Sequence, residues 1–135
     1  MNANNMNANA NANHANQTPI IAALTPTEFQ QLLTNAKNSI IVVKFGAEWC
    51  KPCKLIKGIC AEWAATRPTN VIYADINIDD SMELYGAFKT KKMVRGIPVI
   101  LAFNTELPRD QWYIPDFSVE GGDVEAVTHF LQTTF

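Results

Sequence analysis

Cysteine is scarce in this chain of 135 residues: three thiols are too few, and too odd in number, for the disulfide framework of a small secreted domain. That points to thiols kept in the cytoplasm or another reducing compartment. Positive charge is not in excess either. Eleven Lys and Arg stand against 13 Asp and Glu, which argues against a general binder of nucleic acid or of anionic membrane surfaces. Long apolar runs are missing too, and none exceeds the length of Val99 to Phe103, far short of the roughly 20 residues that span a bilayer. No transmembrane segment is expected. The first residues have neither the basic start nor the apolar stretch of a secretory signal. What is present, 47% apolar and 18% charged residues, is the composition of one soluble globular domain.

Residues 1–17 hold eight Asn and five Ala with no charged, aromatic or β-branched residue. Such a segment has little to offset the entropy of ordering it, so it reads as a disordered tail ahead of a domain at 18–135. Asn-rich tracts can also dock on a partner in an assembly, which is the other reading of the tail. His14 has no Cys, Asp or Glu near it in sequence, so it is not expected to bind a metal.

From Thr18 the pattern alternates between strand and helix. Ile20 to Ala23 is a short strand candidate. Thr25-Pro26-Thr27-Glu28 has capping-box spacing with proline at the first helical position, and Phe29, Leu32 and Leu33 give the following helix an apolar face. Ile40 to Phe45, almost unbroken in β-branched residues except for Lys44, reads as a strand buried on both faces. A helix from Cys50 to Thr66 follows, with Leu55, Ile56, Ile59, Trp63 and Ala64 as its apolar positions, stopped by Pro68. Val71 to Ile76 is a strand. Asp79, Asp80 and Ser81 are N-cap candidates for a helix reaching Thr90, and Val99 to Phe103 is another core strand. Tyr113, Phe117 and Val119 suggest an edge or bulged strand beside Pro115. Asp123 caps a last helix whose Val124, Val127, Phe130 and Leu131 share a face. The order predicts an α/β fold, a central mixed sheet flanked by helices on both faces.

The chemistry concentrates in Trp49-Cys50-Lys51-Pro52-Cys53, where a buried strand hands over to a helix. Two cysteines three apart on a first helical turn can bring their sulfurs together, and proline is tolerated there because first-turn amides lack intrahelical partners. The helix dipole and free amides near Cys50 favour a thiolate, the species that attacks disulfides. Cys50 is therefore the expected nucleophile and Cys53 the resolving thiol. A half zinc site is the competing reading, but Cys60, His14 and His129 do not stand at zinc-like spacing, and no metal is expected. Cys60 lies about 10 Å further along the helix, too far for a disulfide with Cys53, and reads as a small core residue. Trp63 reads as core, Lys89 to Lys92 as a solvated helix end, and His129 receives no role.

The segment Val43 to Lys54 resembles the active-site segment of the thioredoxin family, and the resemblance continues at Asp75-Ile76-Asn77-Ile78-Asp79 and at Val94-Arg95-Gly96-Ile97-Pro98. It implies a thioredoxin-like fold from Ile20 to Phe135 and a thiol–disulfide oxidoreductase acting through the Cys50/Cys53 dithiol. Protein disulfides would be the substrates, a reductase or another dithiol carrier the electron donor, and no cofactor would be needed beyond the dithiol. It further implies a cis peptide before Pro98 and a substrate groove formed by Trp49, Lys51, Pro52, Gly96, Ile97 and Pro98. Three departures stand out. The family usually has Gly-Pro between its cysteines where this chain has Lys51-Pro52. A buried acid usually occupies the place of Lys44, and a lysine often occupies that of Asp75, so the two charges look exchanged. Lys44 and Asp75 are expected to face each other beneath the dithiol and to tune its thiol pKa; the alternative is that Lys44 snorkels to solvent at a sheet edge. Lastly, the segments between Asp79 and Gly96 and between Pro98 and Gly121 are longer than in compact members, and Asn104 to Asp116 in the second, with Pro108, Trp112 and Pro115, reads as a partner-specific loop. The rival function is a thioredoxin-fold interaction module of a larger assembly, binding its partner through this loop or the tail.

Overall fold

A computed structural model describes residues 17–135, so the tail, except Gln17, and His14 lie outside the described residues. Gln17 is tied to the domain, its side-chain amide donating to the Arg67 carbonyl at 2.7 Å. In chain order the elements are α1 (Pro26–Asn35), β1 (Ile40–Gly46), α2 (Lys51–Ala65), β2 (Val71–Asn77), a 3-10 turn (Ile78–Asp80), α3 (Met82–Thr90), β3 (Val99–Asn104), β4 (Phe117–Glu120) and α4 (Val124–Thr133). The strands form one mixed sheet in the order β2-β1-β3-β4. β1 runs parallel to β2 and antiparallel to β3, and β4 pairs antiparallel with β3.

The period of two along β1 divides the core. Ile41, Val43 and Phe45 face one layer, where they meet Phe29 of α1, Leu84 and Phe88 of α3, and Leu101 and Phe103 of β3. Val42 faces the other layer, with Ile56 and Cys60 of α2 and Val127, Phe130 and Leu131 of α4. Lys44 has the parity of Val42, so its side chain goes toward the layer of α2. Since β1 lies between β2 and β3, Lys44 is not at a sheet edge.

Local chemistry accounts for the element ends. Thr25 caps α1 by accepting from Glu28 N–H, while the Glu28 carboxylate accepts from Thr25 N–H, the reciprocal pair expected from the sequence. Arg67 is 4% exposed and closes the end of α2, donating to the carbonyls of Ala64 at 2.7 Å and Val71 at 3.2 Å, and to that of Thr18.

Several expected elements differ. Ile20 to Ala23 does not form a strand, because only Ile21 bridges to Ala74 before the chain turns into the cap of α1. Its Leu24 N–H donates instead to the Ser81 hydroxyl at 3.1 Å. Ser81, rather than Asp79 or Asp80, precedes α3, since those acids fall in the 3-10 turn. Leu55 is 61% and Val124 43% exposed: the buried stripe of α2 runs Cys53, Ile56, Cys60, Ala64, and Leu55 sits off it. Tyr113 is outside β4, because the Asp116 carboxylate accepts from Asn104 N–H and from Arg109 Nη2, each at 2.6 Å, and pins the segment before the strand begins. That segment also sends Trp112 against Phe29 and Phe88.

Candidate active site

β1 ends at Gly46, and a β-carbon there would come 3.4 Å from Cys53 Sγ. A short turn follows in which Cys50 N–H donates to the Ala47 carbonyl at 3.2 Å, delivering Cys50 to the N-cap of α2. There its Sγ accepts from Cys53 N–H at 3.2 Å, so one of the otherwise orphaned first-turn amides points at the sulfur. Pro52 lies in that turn without removing a helical hydrogen bond. Cys50 and Cys53 are disulfide-bonded, with their Cα atoms 5.3 Å apart, and are 5% and 6% exposed.

The Ile97–Pro98 peptide is cis, and the Ile97 carbonyl oxygen lies 3.9 Å from Cys50 Sγ. The segment Gly96-Ile97-Pro98 therefore runs beside the cysteine at the helix tip. Trp49 is 66% exposed, its indole N–H donating to the Asp79 carboxylate at 3.0 Å. Lys51 and Pro52 are exposed. On the α2 side of the sheet, Lys44 and Asp75 are register partners on β1 and β2, and Lys44 Nζ lies 3.2 Å from Asp75 Oδ1 with side-chain exposures of 8% and 45%. A cleft of about 480 Å³ opens beside them, lined among others by Gly46, Glu48, Cys53, Lys54, Lys57 and Asn77.

Sequence reasoning missed the β4–α4 turn. Gly121 has φ +97° and its N–H donates to the Pro98 carbonyl at 2.8 Å. A β-carbon on Gly122 would sit 2.6 Å from the Pro52 carbonyl oxygen. The turn thus touches both prolines, and the glycine pair directly before the Asp123 cap was the available signal. Gly122→Ala should push it off the active-site helix and destabilise the fold by about 1–3 kcal/mol, as overpacking does. Urea unfolding of the variant beside the parent measures this, and an unchanged midpoint would contradict the contact.

Cys60 is 1% exposed. Burial pushes its thiol up to about 11, with Lys44 opposing and Asp75 adding to the rise. After reduction, native protein at pH 8 should therefore alkylate at Cys50, whose sulfur receives the Cys53 amide, and leave Cys60 unmodified until unfolded, as mass spectrometry would show. Because the folded thiol holds its proton to higher pH than the unfolded one, this group's contribution to stability is intact below about 9 and is lost as pH rises through about 11. Among the described residues, no group of three or more His, Cys, Asp or Glu side chains could hold a metal. No helix among them is long and apolar enough to cross a membrane.

The profile of the Thioredoxin family matches residues 20–113. The thioredoxin of Buchnera aphidicola subsp. Baizongia pistaciae is 36% identical over 91 residues, 67% of this chain and 79% of that protein. The thioredoxin of Buchnera aphidicola subsp. Acyrthosiphon pisum is 32% identical over 84 residues, 62% of this chain and 73% of that protein. Among solved structures, Plasmodium falciparum thioredoxin superposes with a TM-score of 0.63 at 19% identity, covering 85% of this chain and 100% of that one; at that identity the likeness speaks for the fold. Profile and relatives agree over most of the described domain, and Cys50 and Cys53 are disulfide-bonded at a helix tip, so the chain belongs to the thioredoxin family and is, in general terms, a thiol–disulfide oxidoreductase.

Proposed function

We propose that the chain exchanges disulfides with protein substrates, Cys50 attacking and Cys53 resolving. The observation that carries this reading is the placement of Cys50 Sγ, which receives Cys53 N–H at 3.2 Å and stands 3.9 Å from the Ile97 carbonyl. The amide and the helix N-terminus stabilise negative charge on that sulfur. A substrate strand lying along Gly96-Ile97-Pro98 would bring its own disulfide to the same atom. Trp49, Lys51 and Pro52, all exposed at the helix tip, would meet the same substrate, with Trp49 and Pro52 supplying apolar contact.

In the reducing direction, the Cys50 thiolate attacks one substrate sulfur and the other leaves as a thiolate. Cys53 then attacks Cys50 Sγ, the mixed disulfide breaks, and the second substrate thiol is released. The dithiol is the whole redox couple, so the reading invokes no cofactor. The oxidised pair is returned by a reductase or another dithiol carrier, in the cytoplasm or another compartment that keeps thiols such as Cys60 reduced.

An insulin-reduction assay with dithiothreitol tests the proposal. The parent should precipitate insulin well above the dithiothreitol background and Cys50→Ser should fall to background. A parent at background would favour the interaction-module reading instead.

A further inference from the structure

The two ends of the cis-proline segment are joined by charge. Arg95 directly precedes Gly96-Ile97-Pro98, and its Nε and Nη2 reach one oxygen of Glu120, Oε1, at 3.3 Å and 3.2 Å. Glu120 is the register partner of Val99 and precedes Gly121, whose N–H holds the Pro98 carbonyl. The pair therefore flanks the stretch whose Ile97 carbonyl lies 3.9 Å from Cys50 Sγ. Arg95 is only two residues before Ile97, at most about 7 Å of chain, so a substrate strand lying on this segment passes it. The side chains of Arg95 and Glu120 are 88% and 34% exposed, and an ion pair so wetted adds little to stability. Glu120 takes the Nε–Nη2 edge of the guanidinium, which leaves the Nη1–Nη2 edge open to solvent. The acids nearest the dithiol belong to Trp49 instead: Glu48 precedes it in the chain, and Asp79 accepts its indole N–H.

We propose that Arg95 is a specificity-determining residue that reads an acidic side chain of the substrate two positions from the cysteine under attack, with Glu120 positioning the guanidinium and tempering its charge. The favoured substrates are protein disulfides that carry Asp or Glu at that place. The inference rests on the reading given above, in which the substrate lies along Gly96-Ile97-Pro98. A carboxylate arriving from solvent meets the free Nη1–Nη2 edge as two parallel donors, the geometry that guanidinium offers and ammonium does not. Glu120 keeps the other edge, so the arginine is held in place before the substrate arrives. A lysine at the same place in the substrate meets a like charge and is disfavoured.

The test reads kcat/KM of the full chain, with dithiothreitol as reductant, on disulfide-linked peptides carrying Glu, Gln or Lys two positions before or two positions after the cysteine. At low salt the parent should reduce the Glu peptide about tenfold faster than the Lys peptide in one of the two placements, with Gln between them. Salt at about 0.3 M should shrink that ratio by screening. Arg95→Gln should slow the Glu peptide and speed the Lys peptide, leaving them within about twofold of each other. A merely structural role would slow both. Arg95→Lys should keep part of the preference, and Glu120→Gln should widen it by removing the opposing charge. Both side chains reach solvent, so these variants should fold. A parent ratio near one in both placements, an equal slowing of both peptides in Arg95→Gln, or a narrower ratio in Glu120→Gln would overturn the proposal. So would a preference that survives Arg95→Gln and disappears in Lys51→Gln. A parent that reduces none of the peptides above the dithiothreitol background would instead overturn the disulfide-exchange reading on which the proposal rests.

Discussion

Replacing Phe29 by alanine should lower the unfolding free energy by about 3–5 kcal/mol, the usual range for emptying a phenylalanine site in a core. Phe29 is fully buried and its ring meets Phe88 at 5.6 Å, Phe103 at 5.0 Å and Trp112 at 5.9 Å between centroids. It is therefore the point where α1, α3, β3 and the 105–116 segment converge. Collapse around the void is hindered because Phe88 and Trp112 also hold each other at 5.7 Å. The loss should appear as a lower urea midpoint, and near-ultraviolet dichroism should show Trp112 loosened. A midpoint within experimental error of the parent would mean that the aromatic cluster closes over the gap. The dithiol lies at the other end of β1, so insulin reduction at low temperature should survive the substitution.

The same residues show what sequence could and could not convey. β1 was legible because an unbroken β-branched run has one good solution, a central strand, and α1 because Thr25 and Glu28 satisfy each other locally. The cysteine pair was legible because its chemistry is contained within a single helical turn. The exposed Leu55 was not, since a one-residue error in the phase of a helix moves a side chain by 100° and the phase is set by tertiary contacts. The 105–116 segment was unreadable for another reason: its conformation depends on Arg109 reaching Asp116 and the Asn104 carbonyl, pairings that no periodicity announces. Gly122 belongs to the same class. Its need to be small is set by Pro52, seventy residues away.

Removing the charge of Lys44 should make the dithiol more reducing. The Lys44 ammonium lies beside the cleft that Cys53 lines; once the pair is reduced, a charge there favours thiolate over thiol and so stabilises the reduced form, whereas the disulfide carries no charge to respond. Lys44→Met removes that stabilisation and also leaves the Asp75 carboxylate uncompensated, and both changes disfavour the thiolate. Asp75 is half-exposed and can hydrate, so the variant should still fold. Lys51→Gly should act in the same direction but less, because Lys51 is exposed and water and salt screen its field. For Lys44→Met we expect a potential lower by about 30 mV, the equivalent of one tenfold change in the thiol–disulfide equilibrium. The pH at which the reduced pair becomes reactive toward iodoacetamide should rise in step. Equilibration of parent, Lys44→Met and Lys51→Gly against glutathione buffers measures the first quantity, and alkylation rates across pH measure the second. If both variants match the parent in both measurements, the lysines have no electrostatic hold on the couple. If the potential falls while the alkylation profile stays fixed, the effect of Lys44 lies in the packing of the disulfide form and not in the thiolate.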